Sequence, residues 1–156
     1  MSTHYNLERF LQAQDTDYPI AFNEISEGQK RSHWIWYIFP QQKGLGRSCY
    51  SQYYALDGIS EAQEYLRHSI LGERLRAICQ ELLKHKNDKS ILQIMGSHID
   101  VVKLKSSMQL FDQVSPNDIF NDVLIAYYKR DRWYPVQTKP PRWIQTDYYK
   151  GIFVNF

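Results

Sequence analysis

A glycine-rich loop is the first segment of the sequence whose residue types could bind a ligand. Gly44 and Gly46 allow positive φ angles and close backbone approach, so consecutive N–H groups can surround an anion. Arg47 adds a planar guanidinium that suits phosphate or carboxylate, and Ser48 and Ser51 add hydroxyls. The loop matches neither the Walker motif nor the dinucleotide-binding fingerprint. We predict that it binds a phosphate group; a tight turn with a solvated arginine is the alternative.

An aromatic run precedes this loop. Residues 34–39 read Trp-Ile-Trp-Tyr-Ile-Phe, and side chains this dense must bury most of their area. In the functional interpretation, Trp34 or Trp36 stacks on a base or a ribose. Gln41 then adds a polar ligand contact, and His33 acts as an acid or base. In the alternative, the run is the central helix of the core and His33 is a boundary histidine.

A second polar segment lies near residue 100. Asp100 and Lys103 stand three positions apart, so they share one face of a helix and can pair. We predict that Lys103 contacts an anion or a carbonyl group and that Asp100 orients it or serves as a general base. Ser106 would add a hydroxyl to the same site. The alternative is a capped helix with one surface ion pair, which contributes about 0–1 kcal/mol.

The composition describes one folded domain without a strong overall charge. Apolar residues make up 43% and charged residues 23% of the 156 residues, which excludes disorder over most of the chain. The formal net charge of +2 gives no field that by itself indicates a nucleic acid or a membrane as partner.

Targeting, cysteine and histidine patterns likewise indicate neither a specialised location nor a metal site. The N-terminus lacks the pattern of a signal peptide, and no apolar run approaches the roughly twenty residues of a spanning helix. Cys49 and Cys79 have no Cys-x-x-Cys spacing, so we expect free thiols and a cytoplasmic location. The five histidines lack metal-ligand spacing, and we expect neither a metal nor a cofactor.

Hydrophobic periodicity predicts an all-α fold, a compact domain of seven or eight short helices over residues 1–130. The clearest amphipathic stripe carries Leu71, Leu75, Ile78 and Leu82 at steps of four, three and four. A short helix over residues 91–95 should end at Gly96. Capping residues predict helix starts at Asn6, at Asp17 with Pro19 in the first turn, at Ser60 in a capping box with Gln63, at Asn87-Asp88, at Asp100 and at Ser115.

The character of the chain changes at residue 131. The segment 131–156 contains three prolines and seven aromatic residues, so it is either an extended strap packed on the helices or a segment that binds a partner. Basic residues there and just before it alternate with aromatic ones, a composition that also suits single-stranded nucleic acid.

The motifs together resemble a family known as "domain of unknown function 1810". The resemblance covers about residues 6–128 and implies a compact, mostly helical domain, without a settled activity. A looser similarity of architecture, to N-glycosidase-type proteins that act on ribosylated or riboflavin-pathway nucleotides, is an analogy of fold alone. The matching segments are Asn6 to Phe10, His33 to Gln41, Gly44 to Ser48, Glu61 to Leu66, Leu71 to Leu75 and Asp100 to Phe111.

Three functions from different classes follow from these patterns. The first is binding, with possible N-glycosidic hydrolysis, of a small phosphorylated nucleotide or an ADP-ribose-like ligand. The second is a protein-interaction module that uses residues 131–156, and the third is single-stranded nucleic-acid binding. Loss of ligand binding in Arg47→Ala would favour the first, and a steep salt dependence of binding would favour the third.

Overall fold

The computed structural model describes residues 5–128, and over that range the chain forms eight α-helices and no β-strand. The predicted all-α class is therefore confirmed. One isolated parallel bridge pairs Gln42 with Leu56. The segment 131–156, its boundary at residue 130 and the roles predicted for it lie outside the described residues. The helices are α1 (Glu8–Ser26), α2 (Ile35–Ile38), α3 (Cys49–Tyr53), α4 (Gly58–Arg67), α5 (Leu71–Leu83), α6 (Ile91–Met95), α7 (His98–Val114) and α8 (Ile119–Tyr128).

A chain of aromatic rings joins four helices through the core. Phe10 of α1 meets Tyr65 of α4 edge-on at 5.0 Å between ring centroids. Tyr65 then contacts Phe111 of α7 at 5.5 Å, and Phe111 contacts Phe120 of α8 at 5.5 Å. All four side chains are fully buried. Rings packed at these distances contribute beyond the area they bury, so they fix the relative positions of the helices.

The predicted stripe of α5 faces this core. Leu71, Leu75, Ile78 and Leu82 are all buried, as the periodicity requires. The short helix α6 also ends as predicted, because Gly96 adopts a φ of +84° at its C-terminus.

The first helix differs from the prediction. α1 runs without interruption through Pro19, whereas the sequence suggests a new helix start at Asp17. Proline removes one backbone N–H and disfavours a helix interior, but the buried face of α1 continues on both sides of it. Phe10, Ala21 and Ile25 all lie in the core, and their burial keeps one helix where local propensity predicts two.

Several predicted caps are wrong, for a common reason. The box at Ser60 does not form: α4 begins two residues earlier, and Glu61 accepts a hydrogen bond from the Asp57 N–H at 2.7 Å. α6 is capped by Ser90 with Gln93, and α7 by Ser97. α1 follows Leu7 without a side-chain cap, and α8 begins at Ile119, whose N–H donates to the Asp118 carboxylate. Several polar residues compete at each start, and tertiary contacts decide among them.

Candidate functional site

The aromatic run forms only one helical turn, so its two tryptophans point to different surroundings. Trp34 is fully buried, and its indole N–H donates to the Glu24 carboxylate at 2.9 Å. The prediction that Trp34 stacks on a ligand is therefore wrong, because no face of the ring reaches solvent. Trp36, two residues later, is only partly buried and remains a candidate for stacking.

Glu24 fixes the position of the segment that connects α1 to α2. Its buried carboxylate accepts hydrogen bonds from the backbone N–H groups of Arg31 and Ser32, the Ser32 hydroxyl and the Trp34 indole. Burial alone would raise the pKa of Glu24, but these four donors outweigh it and lower the pKa to about 2. The carboxylate therefore stays ionised and fixes the turn that leads from α1 into the aromatic run.

Trp36 contacts a cation and a second aromatic ring. The Nζ atom of Lys103 is 5.1 Å from the centroid of the Trp36 ring, within the range of a cation–π contact. The Tyr50 ring contacts the Trp36 ring at 4.9 Å between centroids, with an angle of 46° between the ring planes. Lys103 is 7% exposed, whereas Tyr50 is 57% exposed. We call this cluster, with Gln41 and residues 44–48, the Trp36 site.

The indole nitrogen of Trp36 has no hydrogen-bond partner among the residues that the structure describes. The Nε1 atom is nevertheless buried, so its N–H group has lost water without a described replacement. A buried donor in this state costs about 1–3 kcal/mol. An acceptor oxygen placed there by a ligand would remove that cost.

Asp100 pairs with a lysine that sequence analysis did not single out. Its carboxylate lies 2.8 Å from the Nζ atom of Lys30, and both side chains are mostly buried. Lys30 also donates to the Ser32 carbonyl and lies 4.8 Å from the Trp34 ring. Burial is the main cause that lowers the pKa of Lys103, with Lys30 adding to it, while the charge of Asp100 opposes the shift.

The glycine-rich loop is tied to the rest of the site at its base. The Lys43 N–H donates to the Leu56 carbonyl, and the Leu56 N–H donates to the Gln41 carbonyl, both at 2.8 Å. The Gln41 side chain reaches the Lys103 carbonyl at 3.5 Å. Gln41 and Trp36 thus contact Lys103 of α7, and the base of the glycine-rich loop is linked through Gln41 to the helix that carries Asp100.

The two glycines of the loop serve different purposes. Gly44 has a φ of +94° and open space around it, as the prediction requires. Gly46 has no positive φ; a Cβ there would lie 2.3 Å from the Ser51 Cβ, so glycine is needed for close approach. Ser48 caps α3 by accepting from the Ser51 N–H, and the two hydroxyls share a hydrogen bond of 2.9 Å. Arg47 is exposed.

Two predicted residues are less favourably placed. His33 is exposed ahead of α2, and its carbonyl accepts from the Tyr37 hydroxyl at 3.4 Å. Ser106 is only 4% exposed within α7. Sequence reasoning missed Lys30 and Tyr50. Lys30 is far from Asp100 in the chain, so no local spacing links them, whereas Tyr50 directly follows the loop and could have been included as an aromatic neighbour.

Residues 5–128 show neither a clustered metal-ligand set nor a membrane-spanning helix. That part of the chain has no group of three or more histidine, cysteine, aspartate or glutamate side chains arranged to hold a metal ion. None of its helices has the length and apolar character needed to cross a membrane.

The fold and these motifs identify the family. The chain belongs to the proteins of unknown function designated DUF1810, whose family model matches residues 4–135. The crystal structure of the conserved hypothetical protein Rv1873 from Mycobacterium tuberculosis is similar, with a TM-score of 0.78 and 34% sequence identity. The match covers 91% of this chain and 96% of that one. No curated protein matched the sequence. The resemblance seen in the sequence is thus confirmed.

Proposed function

We propose that the Trp36 site binds a small phosphorylated ligand of the nucleotide or ADP-ribose type. The observation that carries the proposal is the indole N–H of Trp36, which is buried without a described partner while the Lys103 ammonium lies over the ring. A phosphate oxygen would accept from that N–H, which would then have a partner, and the nearby positive charge of the ammonium would favour an anion there.

The rest of the site suits the remaining parts of such a ligand. Tyr50 offers an exposed aromatic face to a base, since stacking on one aromatic side chain contributes about 1–3 kcal/mol. Arg47 and the open backbone at Gly44 lie on the loop next to it and suit a second phosphate. Gln41 adds an amide between the loop and Lys103.

The chemical step that we propose for this site is hydrolysis of an N-glycosidic bond. Asp100 supplies a carboxylate held by Lys30, and such a group can orient a water molecule towards a sugar carbon. The water oxygen would form a bond to the anomeric carbon as the bond to the base nitrogen breaks. The Asp100 carboxylate would take the proton that the water loses, and that proton would then be transferred to the nitrogen of the leaving base.

Binding is tested with a thermal-shift and calorimetry panel of AMP, ADP, NAD, ADP-ribose and ribose 5-phosphate. We expect Lys103→Met and Arg47→Ala each to weaken binding at least about tenfold, because each removes a charge-assisted contact. Trp36→Phe keeps an aromatic ring at this position but removes the N–H, and should weaken binding several-fold. Arg67→Ala, an exposed arginine at the end of α4, is the control.

Two results would contradict the proposal. One is the absence of any saturable shift across the panel. The other is binding that survives Lys103→Met and Trp36→Phe, which would place the ligand elsewhere. Turnover is followed by chromatography of the same mixtures: Asp100→Asn should abolish release of free base and leave the Kd of the ligand within about twofold if the carboxylate acts in the chemical step.

A further inference from the structure

A groove separate from the Trp36 site runs between α1 and the start of α5. Its volume is about 770 Å³, within the range of small-molecule sites. Tyr18 and Phe22 of α1 form one wall, and Ile70 and Ala77 lie on the opposite side. The residues of each wall recur every three or four positions, so both walls are helix faces and the groove is elongated along them.

The groove exists because a small residue, Ala77, lies between two places where α1 and α5 are joined by hydrogen bonds. At one end the Tyr18 hydroxyl donates to the Arg74 carbonyl at 2.8 Å, and at the other the Ser26 hydroxyl donates to the Glu81 carboxylate at 2.8 Å. These bonds hold the two helices together, and Ala77 between them is too short to fill the space. The Tyr18 and Phe22 rings, 6.0 Å apart, extend the apolar wall.

The guanidinium of Arg74, which lines the groove, makes few contacts with the described side chains. The Arg74 guanidinium lies 5.2 Å from the Tyr18 ring and donates to the Gln14 side chain at a long 3.3 Å. Within residues 5–128 no carboxylate lies within 4.0 Å of it. A guanidinium has five N–H donors, and the hydrogen bond to Gln14 uses one of them. Burial raises the pKa of Tyr18 to about 12, so the neighbouring phenol stays neutral near pH 7.

We propose that this groove binds a linear medium-chain carboxylic acid as a second ligand of the protein. The alkyl chain lies along Tyr18, Phe22 and Ile70, and the carboxylate pairs with Arg74. Arginine and carboxylate form bidentate pairs of matching geometry, which gives the ligand one orientation. Glu73 lies exposed at the rim, so its charge opposes the ligand carboxylate and limits the affinity.

The proposal is tested by calorimetry on the full chain with decanoate and, as an uncharged match, decanol, below their aggregation limits. Arg74→Gln should weaken decanoate about tenfold or more and leave decanol within about twofold. Glu73→Gln, an exposed substitution that does not threaten folding, should tighten decanoate about twofold to fivefold and not decanol. Ala77→Met should weaken both ligands by filling the groove, and Arg67→Gln should change neither.

Three results would overturn the proposal. The first is decanoate binding that is insensitive to both Arg74→Gln and Glu73→Gln. The second is binding that Ala77→Met leaves unchanged. The third is a dimer that forms with rising protein concentration in sedimentation and is lost in Ala77→Met, because the groove would then be covered by a second copy of the chain.

Discussion

At the scale of single residues, Trp34 and Trp36 are separated by one position and have different roles. Trp34 is part of the core and gives its N–H to Glu24. Trp36 is only partly buried and contacts Tyr50 and Lys103. The composition of the run could not distinguish them, because both are tryptophans with apolar neighbours. The deciding partner, Glu24, belongs to another helix.

Glu24 predicts how stability depends on pH. Its folded pKa of about 2 lies below the ordinary 4.5, so its contribution is present above pH 4.5 and is lost as the pH falls towards 2. The shift corresponds to a contribution by Glu24 on the order of 3 kcal/mol to the free energy of unfolding. Glu24→Gln should remove that contribution at neutral pH and flatten the decrease below pH 4.5, as measured by urea denaturation at a series of pH values.

The matched control is Glu27→Gln, three residues further along the chain and directly after the end of α1. Its carboxylate is exposed and pairs with Arg31 at 2.7 Å, so we expect a change of no more than about 1 kcal/mol. An equal pH dependence in Glu24→Gln and in the unmodified chain would disprove this role for Glu24.

At the scale of the elements, the close contact between α4 and α5 leaves no room for a side chain at residue 72. A Cβ at Gly72 would lie 2.1 Å from the carbonyl oxygen of Leu66. Alanine is the better helix former by about 1 kcal/mol, yet the clash is with backbone that cannot rotate away. We expect Gly72→Ala to lower the free energy of unfolding by about 1–3 kcal/mol in urea denaturation. Glu73→Ala, exposed on the same turn, should change it little, and a stabilised Gly72→Ala would contradict this account.

The sequence predicts the elements better than their ends. The α5 stripe was predictable because four apolar residues at helical spacing have one low-energy arrangement, with that face buried. The continuity of α1 was not, because Pro19 and the polar residues around it favour a break locally. Only the packing of Ala21 and Ile25 against the core reveals why the helix continues.

At the scale of the whole molecule, a buried ion pair and the further hydrogen bonds of its arginine join α1, α4 and α3. Arg9 of α1 pairs with Glu61 of α4 at 2.9 Å, and both side chains are less than one-tenth exposed. Arg9 also donates to the carbonyl of Tyr53, the last residue of α3, and to that of Ala55, two residues further on. Tyr50 lies on the same helix α3.

We expect Arg9→Met to lower the free energy of unfolding by about 3–5 kcal/mol, because it leaves the Glu61 charge buried without its partner. The double variant Arg9→Met/Glu61→Gln should lose less than the sum of the two single changes. Arg67→Met, which breaks the exposed pair with Glu64, is the control and should cost less than about 1 kcal/mol. Additive losses in the double variant would show that the pair is not coupled.

The residues of the Trp36 site could be predicted from the sequence only in part. Local spacing indicated Gly44, Arg47, Asp100 and Lys103, because each lies in a polar segment with a recognisable pattern. The pairing of Asp100 with Lys30 joins distant parts of the chain, and sequence patterns do not encode such contacts. Which residue faces solvent and which faces the core depends on how all the helices pack together.

The two cysteines differ in a way that makes the wild-type chain convenient to label. Cys49, the first residue of α3, is exposed, whereas Cys79 is buried and its thiol pKa is raised by that burial. Because thiolate is the reactive form, a maleimide dye should attach at one position, directly beside Tyr50. Its fluorescence would report events at the Trp36 site without any engineered cysteine, in the natural sequence and in every variant described above.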